Sequence, residues 1–172
     1  NAAYKLFNAI ANFAYVISSY YAGSVSQYFA KSENNKVKRF FYKERFFIFG
    51  LSTVAHIGVM IFSKPIITYL YGDRYVQSVF IFNVLMVGSI FKYWGVFNML
   101  YYNTNKKHKV NQLLNIIKAV INIGLNIVLV PSIGVIGAAT ATVISIIVIS
   151  IISSIYCERR IKRLITIGES LK

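Results

Sequence analysis

The sequence predicts an all-α integral membrane protein with about five transmembrane helices, and three observations carry that prediction. Residues 119 to 157 hold no Asp, Glu, Lys or Arg over 39 consecutive positions, and residues 6 to 30 hold none over 25. Uncharged, mostly apolar stretches of at least ~18 residues are the length of a membrane span. The 19 Lys and Arg fall mainly in short clusters between such runs, and five acids leave the 172-residue chain at a net charge of +14. Finally, the chain's two prolines, Pro65 and Pro131, sit at the breaks between runs. An apolar share of 56% lies only modestly above the ~45–50% of soluble proteins, so it is segregation rather than composition that sets the class.

Five uncharged runs define the spans, within one transmembrane domain covering residues 1–172: 7–30, 46–63, 76–101, 111–130 and 135–157. At 1.5 Å per residue they reach roughly 27 to 39 Å, enough for a hydrocarbon core of about 30 Å. Connector 31–45 is basic and partly amphipathic, with six cations. Connector 102–110 has three, Lys106, Lys107 and Lys109, and tail 158–172 has five. The intervening connectors carry only Lys64 and Arg74, while Lys5, Lys92 and Lys118 lie within or at the edge of spans. Fourteen cations on one side against two on the other place the basic connectors and the C-terminus in the cytoplasm by the positive-inside rule. At Lys64-Pro65 the second helix should end, because proline lacks a donor and disfavours helix in the residue before it. Ile66 to Tyr71 then reads as a short interfacial helix closed by Gly72. Pro131, Gly134 and Gly137 mark the structural turn between the last two spans, and Gly134, Gly137, Ala141 and Ser145 have the small-residue spacing of close helix packing.

Polar residues inside the spans are the candidates for function. Asn111, Asn115, Lys118, Asn122 and Asn126 recur at spacings of four, three, four and four, which confines them to about 80° of one helix face at ~100° per residue. Asn8, Asn12, Tyr15, Ser19, Ala22 and Ser26 mark a similar face on the first span, and Ser52, His56 and Ser63 a more apolar one on the second. Amides in a span either bond a neighbouring helix or face a hydrophilic cavity; an amide on nearly every turn favours the cavity. Lys92 and Lys118 sit ~14 and ~11 Å from the cytoplasmic ends of their helices. Snorkelling toward headgroups competes there with a cationic site for an anionic group. His56, near mid-span, reads as a packed neutral histidine ahead of a proton carrier, and stays among the candidates. The substrate-binding set is therefore Lys92, Lys118, Asn115, Asn122, Asn126 and His56.

Other classes are excluded. Basic clusters that separate apolar runs are the charge distribution of a multispanning protein, so no nucleic-acid partner is expected. Two histidines and the lone Cys157 show no metal-ligand spacing and permit no intrachain disulfide, and no Walker loop or dinucleotide fingerprint occurs. No enzyme activity, metal or cofactor is expected. Short connectors opposite the basic side leave no room for a large external catalytic domain. All five acids, Glu33, Glu44, Asp73, Glu158 and Glu169, lie outside the spans, whereas cation antiporters use a buried carboxylate. Position 1 is Asn rather than Met and no signal peptide opens the chain, which reads as a piece of a longer protein.

The segment Asn126-Ile-Val-Leu-Val-Pro131-Ser-Ile-Gly134-Val-Ile-Gly137-Ala-Ala-Thr-Ala-Thr142 resembles the signature N-x-x-x-x-P-x-x-G-x-x-G-A-A-x-A-T of lipid-linked oligosaccharide flippases. These are the O-antigen and polysaccharide exporters of the multidrug/oligosaccharidyl-lipid/polysaccharide exporter superfamily. Asn1-Ala-Ala-Tyr4-Lys5-Leu6 resembles the opening of a span in that family, and Ser63-Lys-Pro65 through Gly72, Tyr75 and Ser78 resembles its outer turn. Relatives often carry a proline where Gly23-Ser24-Val25-Ser26 stands, which puts the kink of the first helix in doubt. The resemblance implies the C-terminal part of a roughly twelve-span transporter, the five helices making most of one half-bundle. It also implies translocation of undecaprenyl-diphosphate-linked oligosaccharides across the inner membrane by alternating access, for lipopolysaccharide or other surface polymers. The partners implied are that lipid-linked substrate, membrane lipids, the N-terminal half of the same chain and polysaccharide polymerase machinery. A drug or cation antiporter of the related branch, and a scaffold subunit of a polysaccharide assembly complex, are the alternatives.

Overall fold

The computed structural model describes residues 2–170; Asn1 of the family-like opening and Lys172 of the basic tail lie outside the described residues. Helix α1 spans Ala2–Ala30 without a break. Helical structure continues through Gly23–Ser26, where relatives often carry the proline. Ser32, at φ +52°, turns the chain, and the Glu33 amide bonds back to the Tyr28 carbonyl at 2.9 Å. Connector 31–45 is itself largely helical. It contains α2 (Asn34–Arg39) and a π-helical turn, Phe40–Glu44, that runs directly into α3 (Arg45–Ile61).

The second break falls at Phe62 (φ −92°, ψ 13°), two residues before Lys64, the position that the proline alone disfavours. Helix α4 (Ser63–Tyr71) begins there and takes Pro65 into its first turn, where a missing N–H costs nothing because no acceptor precedes it. Gly72 at φ +87° closes α4, as expected. A 3₁₀ turn, Asp73–Tyr75, leads into α5 (Ser78–Thr104), and α6 covers His108–Ser170. Residues 158–170, read as a tail, continue that helix.

Helix α6 is two limbs rather than one rod. Ile133 (φ −133°) and Gly134 (φ +60°, ψ −136°) leave helical geometry, and the limbs fold back antiparallel. Asn122 on the first limb donates to Thr142 Oγ1 on the second at 3.4 Å. Next to the turn a Cβ on Gly137 would collide with the Leu129 carbonyl. Gly134 supplies a positive φ that side chains resist, and Gly137 permits the close approach. Ala141 and Ser145 are buried, as the small-residue spacing anticipates.

Two apolar clusters cap the ends of the bundle. One joins Ala3, Phe7 and Ala11 of α1 with Ile67 of α4, Phe82, Leu85 and Met86 of α5, and Ala139. The other joins Val25, Val37, Phe40, Phe41, Phe97, Tyr101, Leu114, Cys157 and Ile161. Every basic connector therefore gathers at the second end. Aromatic rings dominate there: Phe40 lies against Tyr21 and Phe97, and Phe29 against Phe41 and Tyr101, with centroids 5.4 to 6.3 Å apart. These rings fasten the amphipathic α2 and π turn onto α1 and α5. Three segments among the described residues are long and apolar enough to cross a membrane: Asn34–Ile61, Ser78–Thr104 and His108–Leu164. The last contains both limbs of α6. Helix α1, equally long, is diluted by its polar face. This is an all-α membrane protein.

Candidate functional site

Four helical faces meet around one cavity of about 460 Å³. From α1 come Tyr4, Phe7, Asn8 and Tyr15, and from α5 come Lys92, Gly95, Val96, Met99 and Tyr102. The first limb of α6 contributes Asn111, Leu114, Asn115, Lys118, Ala119 and Asn122; the second contributes Thr142, Ser145, Ile146, Ile149, Ser150 and Ser153. Two cations, four asparagines and a run of hydroxyls thus share a volume whose lining includes no carboxylate.

Lys92 is held by neutral partners. Its Nζ donates to Asn12 Oδ1 at 3.1 Å and lies 4.9 Å from the centre of the Tyr15 ring. Helices α1 and α5 run in the same direction, and Asn12 lies ten residues into α1 while Lys92 lies fourteen into α5. The amine accordingly reaches back toward the end opposite the basic connectors, which is the reverse of snorkelling. A lysine at the centre of a span costs about 2.5–3.5 kcal/mol on insertion scales. A carbonyl oxygen and a ring face offset part of this but leave the positive charge whole, in a medium where its attraction for an anion is strengthened.

The predicted stripe on α6 divides at the end nearest the hairpin turn. Asn111, Asn115, Lys118 and Asn122 line the cavity, while Asn126 does not. Instead, Asn126 donates to the Asn122 carbonyl at 2.8 Å and to Asn122 Oδ1 at 3.1 Å. With the Asn122 bond to Thr142, this chain of amides braces the hairpin and orients Asn122 at the cavity wall.

His56 lies away from the cavity. It is buried on α3, with Nδ1 2.7 Å from the Ser52 carbonyl and Nε2 2.9 Å from Ser89 Oγ, and its ring packs edge-on against Tyr93. Both ring nitrogens are engaged, so the packed reading accounts for it. Ser89→Ala should leave Nε2 unpartnered and cost about 1–3 kcal/mol without changing the cavity. Thermal unfolding alongside transport would read a lowered Tm at retained activity.

Arg45, counted from sequence among the loop cations, is 1% exposed. Its guanidinium lies 3.6 Å from the centre of the Trp94 ring, and Nη2 reaches Ser154 Oγ at 3.4 Å. That oxygen also accepts from Trp94 Nε1 at 2.6 Å and Asn98 Nδ2 at 2.9 Å, while donating to the Ser150 carbonyl. Three donors converge on one hydroxyl with two lone pairs, and Arg45 Nε has no partner. Ser154→Ala removes the shared acceptor, so it should cost more than the ~1 kcal/mol of a single bond. Unfolding of Ser154→Ala beside Ser145→Ala, whose hydroxyl bonds only within its own helix, is the measurement.

The hydroxyls of Thr142, Ser145, Ser150 and Ser153 line the cavity without having been expected there from sequence. Their signal is present all the same, since they are polar positions inside the longest uncharged run, at spacings of three, five and three. Tyr102, whose hydroxyl bonds Ser153, has no such signal.

A multispanning helical bundle enclosing a cavity lined by lysines and amides has the build of a membrane transporter. Compared with known families, residues 4–171 match the family described as lipid II flippase MurJ, and the chain belongs to that family. Its members are transporters of lipid-linked precursors rather than enzymes, and this is a multi-pass protein of the inner membrane. No curated protein and no solved structure matches the chain.

Proposed function

We propose that this chain carries part of the path by which a polyprenyl-diphosphate-linked saccharide crosses the cytoplasmic membrane, facing first one leaflet and then the other. The observation that supports it most is a cavity holding Lys92 and Lys118 beside asparagines and serines, with no carboxylate in its lining. A diphosphate needs cations, a sugar needs amides and hydroxyls, and a polyprenyl chain can stay in the bilayer. In this reading Lys92 and Lys118 bind the diphosphate. Asn115 and Asn122 contact the sugar, Asn126 fixes Asn122, and the bundle works against a second one with its basic end in the cytoplasm. The same lining disfavours a drug or cation antiporter, whose cargo would meet two like charges.

Two substrates share this chemistry: lipid II, which the family description names, and an O-antigen or capsule repeat unit, which the signature around Pro131 resembles. Expression of the intact gene in a strain depleted of its lipid II flippase, and separately in one lacking its O-antigen flippase, distinguishes them. Rescue of growth assigns lipid II, and rescue of surface polysaccharide assigns the repeat unit. Rescue of neither at normal membrane levels would sink the proposal.

A further inference from the structure

The amide that holds Lys92 is placed there by the packing of α1 on α5. Ala11 and Ala14 are fully buried on either side of Asn12, and small residues let the backbones of two helices approach closely. Two residues before Asn12, the Ile10 carbonyl accepts from the Tyr93 hydroxyl of α5 at 3.0 Å. That bond fixes the register of α1 against α5. Asn12 Oδ1 consequently stands 3.1 Å from Nζ of the residue next to Tyr93, which is Lys92. The Tyr15 ring, one turn further along α1, lies 4.9 Å from the same amine.

A lysine amine has three donors and no acceptor, so Asn12 occupies one donor and leaves the charge intact. A carboxylate would hold the amine more firmly, because charge-assisted hydrogen bonds are roughly twice as strong as neutral ones. Yet position 12 is an amide, and no Asp or Glu occurs between residues 1 and 32 or between residues 74 and 157, the segments that supply every residue of the cavity lining. Anchoring the amine as a structural pair would be served better by Asp. Keeping its charge unspent is served only by a neutral partner.

We propose that Asn12 is a specificity-determining residue of the cavity: its neutral oxygen aims the Lys92 ammonium and leaves the charge free for a phosphate, so that Lys92 and Lys118 together favour a diphosphate over a monophosphate. The inference rests on the reading of this cavity as the diphosphate site. Asn12 acts through Lys92 and is a positioning residue. A purely structural role makes the opposite forecast, because Asn12→Asp would strengthen the bond to Lys92 and hold α1 on α5 more firmly while cancelling one of the two charges in the cavity.

The test is equilibrium binding of undecaprenyl diphosphate and of undecaprenyl monophosphate to the intact gene product in detergent, with thermal unfolding measured alongside. N12A should weaken diphosphate binding about threefold, and N12D about ten- to a hundredfold at an unchanged or raised Tm. N12D should also narrow the preference for diphosphate over monophosphate, which a packing role would not move. The N12K/K92N exchange puts the ammonium on α1 and the amide on α5 across the same contact. It should bind diphosphate within about fivefold of wild type, and it carries the test if N12D does not fold. Equal binding by N12D and N12A with the preference intact, or loss of binding in a folded N12K/K92N protein, would overturn the inference. K92A separates the two levels: if it weakens diphosphate binding while N12D does not, only the role of Asn12 falls, and if it binds as wild type does, the diphosphate site falls with it.

Discussion

The Lys92→Ala/Lys118→Ala variant is expected to reach the membrane at normal level and to lose transport. Neither lysine carries the fold: Lys92 bonds one neutral amide oxygen, and no hydrogen bond or ion pair of Lys118 occurs among the described residues. Removing a cation from a span lowers the cost of insertion, so stability should hold or rise. Each charge-assisted bond to a phosphate oxygen contributes about 1.5–3 kcal/mol. Losing both therefore weakens diphosphate binding roughly 10² to 10⁴-fold. Arginine at both positions should restore function in part, whereas glutamine should not. Wild-type complementation with full activity in the double alanine variant would remove these residues from the path while leaving the family intact.

The second large effect is expected at the α6 hairpin. Gly137→Val places a branched side chain against the Leu129 backbone, where nothing flexible can yield. Overpacking of this kind costs about 1–3 kcal/mol or more. The loss should extend beyond stability, because splaying the limbs also breaks the Asn122–Thr142 bond and moves the cavity wall that both residues form. Gly124→Ala is the matched control, since a Cβ there meets nothing within 4 Å. Gly137→Val should lower the unfolding temperature and abolish transport; Gly124→Ala should do neither. Equal unfolding temperatures would mean that the limbs separate without penalty.

The candidate site is partly legible in the sequence. Lys92, Lys118, Asn115 and Asn122 stand out because amides and lysines are rare in a span and their spacing puts the α6 set on one face. The stripe of Ser52, His56 and Ser63 looks similar by the same periodicity, yet His56 meets Ser89 and Tyr93 of α5 while Ser52 and Ser63 bond the backbone carbonyls of Phe49 and Met60, and none of the three lines the cavity. Periodicity defines a face but says nothing about what the face meets. Arg45 shows the complementary gap. Its place at a loop–span boundary suits an orienting charge, and only the ring of Trp94, 49 positions away in sequence, turns it inward.

Local sequence suffices for the membrane class, the order of the helices, the breaks at Phe62 to Pro65 and at Pro131 to Gly134, and the gathering of basic connectors on one side. These follow from properties of short segments: transfer free energy along a run, missing donors at proline and positive φ at glycine. Packing between helices settles the rest: which polar faces share a cavity, that Asn126 braces Asn122, that His56 and Arg45 are packed, and that serines of the second limb complete the wall. Those outcomes depend on contacts between helices distant in sequence, where small residues let backbones approach and each polar group takes the nearest partner available.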